Sequence, residues 1–351
     1  MSPVADIPAR AASEGPVAYH VSVVALPDAV ISTLAGIFDT MSARSMLGAG
    51  QVTRSFDVEI VGESAGPLRL ASDLPIEVQR NIDTLESSDI VIVPSVLLRG
   101  STWQKGRYPR LVAWLARMHE RGAVLCSACS GIFLIAETGV FDGRDATVHF
   151  GYADAFARAH PAVTIHPERV LVISGTREEL VSSGASSSWH DMALYLIARF
   201  AGATDAQAVA RMLALQWHQD GLAPYITFEG RTDHGDAEVA AAQQWLGNHF
   251  SVANPVEEMI RRSRLAERTM KRRFAAATGL TPIEYVQRLR IEDAKRRLER
   301  TVAPIDEIAW RVGYEDPAFF RRLFKRATGV TPGAYRRRFS IPEFARRGVQ
   351  V

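Results

Sequence analysis

The sequence predicts an α/β domain followed by an all-α domain, and three observations carry that reading. Between residues 17 and 200, short apolar β-rich runs alternate with segments of helical spacing, the pattern of a mostly parallel sheet covered by helices on both faces. Residues 274–285 recur as 324–335 at a constant offset of 50, which marks a duplicated helical unit rather than a solenoid. Charge is divided along the chain: residues 254–351 hold 23 Lys+Arg and 12 Asp+Glu, a net of +11, and the remainder holds 18 and 27, a net of −9.

A length of 351 residues predicts two domains or more, and a hydrophobic content of 47% suffices for real cores. Residues 1–16 are polar, Ala/Pro-rich and without an apolar core segment, so they are expected to be a disordered leader rather than a signal peptide. No run of 18 apolar residues is free of charge, and no membrane span is expected. The two cysteines, Cys126 and Cys129, are three residues apart. A bridge that close would staple little chain, so a reduced, cytoplasmic protein is the natural reading.

The first domain is assigned to 17–216. Strands are expected at 19–26, 56–61, 89–94 and 123–126, and a hairpin at 171–174 and 180–183. The run Asp89-Ile-Val-Ile-Val-Pro94 is almost continuously apolar, as a strand buried on both faces must be. Helices are expected at 30–47, 111–119, 132–137, 190–201 and 206–215. Residues 217–236 are polar and turn-rich and are taken as a linker; 237–340 form the second domain and 341–351 a tail. His218, His234 and Asp236 in the linker have no specific ligand spacing. A packed loop is the better reading there, and no metal or cofactor is assigned.

Each copy of the repeat ends alike. An Arg-rich helix reaches Gly279 or Gly329, which supply the left-handed cap. Thr281 or Thr331 then caps a new helix that Pro282 or Pro332 opens. Upstream in the second copy, Ile305, Ile308, Ala309 and Val312 make one amphipathic helix, broken at Gly313-Tyr314. Asp316 and Pro317 begin another, with Phe319, Phe320, Leu323 and Phe324 as its apolar face. Helix, short turn, helix is the helix-turn-helix pattern. The second helix carries Arg321, Arg322, Lys325 and Arg326; its counterpart at 267–278 carries Arg268, Lys271, Arg272 and Arg273. Met270 and Phe274 take the apolar positions there, so cations must face out. One such helix could be a solvated basic face. Two, joined by a continuous helix from Pro282 to about Leu298, point to phosphate contacts and guanine reading on duplex DNA.

The segment resembles the AraC/XylS-type DNA-binding domain, through Ile308-Ala-Trp-Arg-Val-Gly-Tyr314 and Phe319-Phe-Arg-Arg-Leu-Phe-Lys325. The resemblance implies base-reading positions at Arg268, Lys271 and Arg272 in the first unit, and at Pro317, Ala318, Arg321 and Arg322 in the second, with Lys325 beside them. Ile260, Arg264 and Ala266 stand where the pattern has Ala, Gly and a capping Ser. The first turn is therefore expected to be less regular. Pro317 and Ala318 lack side-chain donors, so the second unit is expected to read fewer bases.

In the first domain, Cys126-Ser-Ala-Cys129-Ser-Gly131 lies between a buried strand and a helix. Small residues there permit a tight turn that presents Cys129 at the sheet's carboxyl edge, where a helix N-terminus would lower its pKa. A nucleophile needs a base, and Ser130 follows the cysteine. His149 and His190 are distant candidates, better read as structural or ligand-contacting. The stretches 129–143, 146–149 and 183–194 resemble the class I glutamine amidotransferase-like (PfpI-like) domain of many AraC-type regulators, a flavodoxin-like fold. In enzymes of that fold a His follows the Cys and an acid lies in the first loop. Here Ser130 replaces the His, and Asp28 is the available acid. The resemblance implies a domain that senses a small effector or dimerises, with no catalytic residue; a homodimer is expected, and an effector would bind near Cys129, His149, Ser183, His190 and Asp191. The alternative is a Cys-dependent hydrolase or isomerase carrying a DNA-binding module.

Overall fold

The computed structural model describes residues 17–43, 54–98, 100 and 102–342. The expected leader, residues 44–47 of the expected first helix and all but two residues of the expected tail lie outside them. The chain forms two compact units, Met1–Leu222 and Ala223–Val351.

The first unit runs β1 (Val17–Val24), α1 (Ile31–Ser42), β2 (Arg54–Gly62), β3 (Gly66–Arg69), β4 (Pro75–Val78), β5 (Arg80–Asn81), β6 (Ile90–Val93), α2 (Pro109–Glu120), β7 (Val124–Ala128), α3 (Ile132–Ala136), β8 (Asp145–Ala146), α4 (Ala153–Ala159), β9 (Thr164–Ile165), β10 (Leu171–Ser174), β11 (Leu180–Ser183), α5 (Trp189–Phe200) and α6 (Ala203–Met212). Seven strands form one sheet in the order β10-β11-β7-β6-β1-β2-β5. All pairings are parallel except β10 with β11. The central strands β6, β7 and β11 are buried along their whole length, which explains their unbroken apolar and small-residue composition.

The connections β1–β2 and β6–β7 run in opposite directions across this order. Right-handed crossovers therefore place α1 and α2 on opposite faces. Helix α1 packs with α5, and Gly36 is required there: a Cβ would lie 2.6 Å from the Trp189 ring. Trp114, Leu111, Leu115 and Met118 form the buried stripe of α2. The sequence predicts no element over 62–88 or 138–170. The structure fills them with α4 and with β3, β4, β8 and β9, strands of two to four residues, too short to leave a periodic signal.

The second unit is helical: α7 (Ala237–His249), α8 (Pro255–Ser263), α9 (Glu267–Thr278), α10 (Pro282–Arg300), α11 (Ile305–Arg311), α12 (Pro317–Thr328) and α13 (Pro332–Phe339). It has two separate cores. Val239, Leu246, Met259, Met270, Phe274 and Tyr285 build one; Ala294, Leu298, Ile308, Phe320, Phe324 and Tyr335 build the other. Helix α10 serves both, its first half in one core and its second half in the other. Thr281 caps it with a full capping box to Glu284, a device that satisfies two orphan amides at once. Residues 226–231 are no free tether. Phe228 packs on the first core, Lys295 Nζ donates to the Ile226 carbonyl at 2.6 Å, and a Cβ on Gly230 would strike the Tyr285 hydroxyl.

Candidate nucleic-acid interface and effector site

Two helix-turn-helix units, α8–α9 and α11–α12, flank α10. Burial of Met270, Phe274 and Ala277 fixes the rotation of α9, and burial of Phe320, Leu323 and Phe324 fixes that of α12. Arg268, Lys271 and Arg272 consequently face out, as do Ala318, Arg321, Arg322, Lys325 and Arg326, while Pro317 at the start of α12 is partly covered. Arg273 is drawn aside: its guanidinium grips Asp236, the N-cap of α7, at 2.7 and 2.9 Å. That hydrogen bonding holds the Asp236 carboxyl below the usual carboxylate range. Lys271 pairs with Glu267 at 2.5 Å and Arg321 with Asp306. Among the described residues, Arg268, Arg272, Arg322 and Lys325 join no ion pair. Within the second compact unit, a cleft of about 940 Å³ between the two helix-turn-helix pairs is lined by Glu267, Lys271, Arg290, Tyr314, Asp316 and Phe319, among others.

Phe319 corrects the sequence reading. The sequence puts it on the apolar face of α12, yet it is 42% exposed, with the Arg322 guanidinium 5.7 Å from its ring centre. The i, i+3 spacing to Arg322 was the available signal. The two turns also differ. Gly313 takes φ +93° in the second, and Arg264 takes φ +56° in the first, where a side chain is strained. Ala266 gives α9 no side-chain cap, whereas Asp316 accepts from the Ala318 amide at 2.8 Å. The expected irregularity of the first turn is present.

In the first unit, Cys129 sits at the elbow after β7 with φ +53°, a strained geometry for a residue with a Cβ. Gly131 is obligatory behind it, because a Cβ would lie 2.4 Å from the Pro94 carbonyl oxygen. Ser183 ends β11 beside Ala128, so the sheet delivers it to the same edge, where its hydroxyl donates to the Ser127 carbonyl at 3.3 Å. Cys129 is 3% exposed and its Sγ lies 3.7 Å from Ser186 Oγ. Burial pushes its pKa up; the neighbouring Ser186 hydroxyl and Ser130 amide oppose this. The expectation of a lowered thiol pKa is thus reversed: desolvation outweighs the weak dipole of a single 3-10 turn followed by the five-residue α3.

Ser130, at the position of the missing His, is engaged elsewhere. Its hydroxyl donates to the Val96 carbonyl at 2.6 Å and accepts from the Val96 amide at 2.9 Å. Asp28 is taken by Tyr108, whose hydroxyl donates at 2.6 Å, and by Arg107. The remaining candidates separate. His149 accepts from the Gly151 amide at 3.1 Å and stacks on Phe150. His190 and Asp191, on the first turn of α5, turn toward His218 instead. His234, offered with Asp236 as a loop feature, accepts from the Asp236 amide and meets the Gln243 side chain at 2.7 Å.

Comparison with known proteins follows this division. Residues 37–199 match the DJ-1/PfpI family and residues 259–338 match a helix-turn-helix domain. The HTH-type transcriptional regulator CdhR of Pseudomonas aeruginosa is 25% identical over 277 residues, 76% of this chain and 77% of its own. The HTH-type transcriptional regulator GlxA of Rhizobium meliloti is 28% identical over 60% of this chain and 64% of its own. The HTH-type transcriptional activator RhaS of Salmonella arizonae is 36% identical over 97 residues, 28% of this chain and 34% of its own. The chain thus carries a DJ-1/PfpI-type domain followed by a helix-turn-helix domain, the domain order of AraC-type transcriptional regulators with a DJ-1/PfpI-like N-terminal domain.

Proposed function

We propose that this protein is a sequence-specific DNA-binding transcriptional regulator, acting in the cytoplasm as a homodimer, whose N-terminal unit answers to a small-molecule effector. The observation that carries the reading is the duplicated helix-turn-helix with an outward basic face on each second helix. Helices α9 and α12 enter successive major grooves on one side of the duplex, about one helical turn apart. Arg268, Lys271 and Arg272 read bases from α9; Arg321 and Arg322 do so from α12, with Pro317, Ala318 and Phe319 offering apolar contact to thymine methyl groups and Lys325 holding phosphate. Arg321 must leave Asp306 to reach a base. That exchange disfavours binding where the base is not guanine.

The effector site is proposed at the carboxyl edge of the sheet, around Cys129 and Ser183, whereas His149 keeps to Phe150 and His190 and Asp191 to His218. An effector that prefers one arrangement of this edge shifts DNA affinity by the ratio of its two affinities. The hydrolase reading is disfavoured by the raised thiol pKa and by the engagement of Ser130 with Val96. The test is a titration of the full chain against duplex selected from a random pool. Arg272→Ala and Arg322→Ala should each weaken binding by about 1–3 kcal/mol. Unchanged affinity in both would refute the assignment of the reading helices.

A further inference from the structure

The first turn of α5 and the segment 216–219 bring together the adjacent His190 and Asp191 with His218, 27 positions beyond Asp191. Asp191 accepts from the His218 amide at 2.9 Å through Oδ1, and its Oδ2 lies 2.6 Å from His218 Nδ1. His190 Nε2 is 3.5 Å from the same Oδ2 and 2.7 Å from the Gln216 carbonyl oxygen. The two imidazoles face one another with centroids 5.0 Å apart. One donor atom from each of the three residues can be chosen so that all lie within 4.8 Å of one another. The Asp191 side chain is only 2% exposed and the two rings 13% and 15%. A cavity of about 330 Å³ adjoins them, lined by Val170, Leu171, Trp217 and Gln219 together with Asp191 and His218.

We infer that His190, Asp191 and His218 form a binding site for a divalent first-row transition-metal ion. Asp191 is a buried carboxylate, and among the described residues no Lys or Arg pairs with it. Its side-chain neighbours are the two imidazoles, and a divalent ion held between the three would neutralise it. Metal–ligand distances near 2.0–2.2 Å place donor atoms roughly 3–4 Å apart, so small ring rotations close the site. Two imidazoles and a carboxylate without thiolate favour zinc, cobalt, nickel or iron over calcium and magnesium. Three protein ligands leave a coordination position for water or for a donor group in the adjoining cavity. Occupancy would fasten the 216–219 segment to α5. Metal binding does not depend on whether the chain binds DNA.

The test uses the full-length, metal-free protein with Co(II) as the spectroscopic probe and Zn(II) as competitor. The expected result is one equivalent of Co(II) with visible d–d absorption, displaced by Zn(II). His218→Ala and His190→Ala should each weaken binding at least tenfold, and His166→Ala should leave it unchanged. A second readout needs no variant: Zn(II) should protect His190 and His218 of the wild-type chain from diethyl pyrocarbonate, mapped by peptide mass. Absence of saturable Co(II) binding, binding indifferent to both variants, or protection confined to other histidines would overturn the inference.

Discussion

Arg290 braces the second unit from α10. Its guanidinium donates from Nε to the Phe250 carbonyl at 2.8 Å, from Nη1 to Gly313 at 2.8 Å and from Nη2 to Val252 at 3.1 Å. It also lies 5.1 Å from the Tyr314 ring centre. One side chain on α10 thus ties the α7–α8 turn to the turn of the second helix-turn-helix. Gly313 is coupled to it: at φ +93°, an added Cβ would stand 2.6 Å from the Ser251 oxygen and 2.9 Å from Arg290 Cζ. Hydrogen bonds from a charged donor contribute about 1.5–3 kcal/mol each, and the released carbonyls can take up water, so Arg290→Ala should cost about 2–4 kcal/mol. In a unit of this size that lowers its unfolding temperature by roughly 10 °C.

Arg290→Lys keeps the charge but loses the planar fork and should recover less than half of the loss. Gly313→Ala should destabilise by a similar amount. The double variant should fall short of additivity, because one of the two clashes disappears with the guanidinium. The assay is thermal unfolding of the full-length chain followed by circular dichroism, alongside DNA titration. Loosening the brace should weaken binding at least tenfold while base preference is kept. Arg290→Ala unfolding with the wild-type protein, or strict additivity in the double variant, would refute the argument.

Three further predictions follow from the same structure. His160 is 6% exposed, stacked on Phe156, and burial first, then Lys105, pushes its pKa down to about 4, against Asp142. The unfolded chain binds the extra proton between pH 6.5 and 4, so stability is full above that window and should fall by about 3 kcal/mol across it; His160→Leu should flatten that limb of a pH–unfolding profile. Relieving the first turn should stabilise the second unit, with Arg264→Gly raising it by about 0.5–1 kcal/mol and Ala266→Ser by about 1 kcal/mol; denaturant titration yielding no gain from either would contradict the strained-turn reading. Lys325→Ala should weaken binding to specific and unrelated duplex alike and reduce the slope of log affinity against log salt by about one, whereas Arg272→Ala should act mainly on the specific site.

The parts of this protein that were legible in its sequence are those that repeat or that are buried throughout. The 50-residue offset exposed both helix-turn-helix units, because Gly279/Gly329 and Thr281/Thr331 are backbone requirements that few other residues meet. The strands Ile90–Val93 and Val124–Ala128 were readable because burial on both faces permits little but apolar or small side chains. Less was visible where function rests on contacts distant in sequence. Cys129 has the backbone of a nucleophile elbow, yet the surrounding loops bury it, and no local pattern reports burial. Phe319 follows the apolar rhythm of its helix but sits past the edge of the core. His218 looked like a loop residue; its partnership with Asp191 exists only because the segment after α6 returns to α5. The linker is legible only as a polar, turn-rich stretch, a pattern that hides the packing of Phe228 and the carbonyl of Ile226 held by Lys295.

The central claim is that two helices of one unit read adjacent major grooves. Methylation interference and hydroxyl-radical footprinting of the full-length chain on its selected duplex test this most directly. The account predicts two clusters of essential guanine N7 contacts, about 10 base pairs apart on one face, with Arg272→Ala erasing one cluster and Arg322→Ala the other. A single cluster, or contacts indifferent to both substitutions, would contradict it.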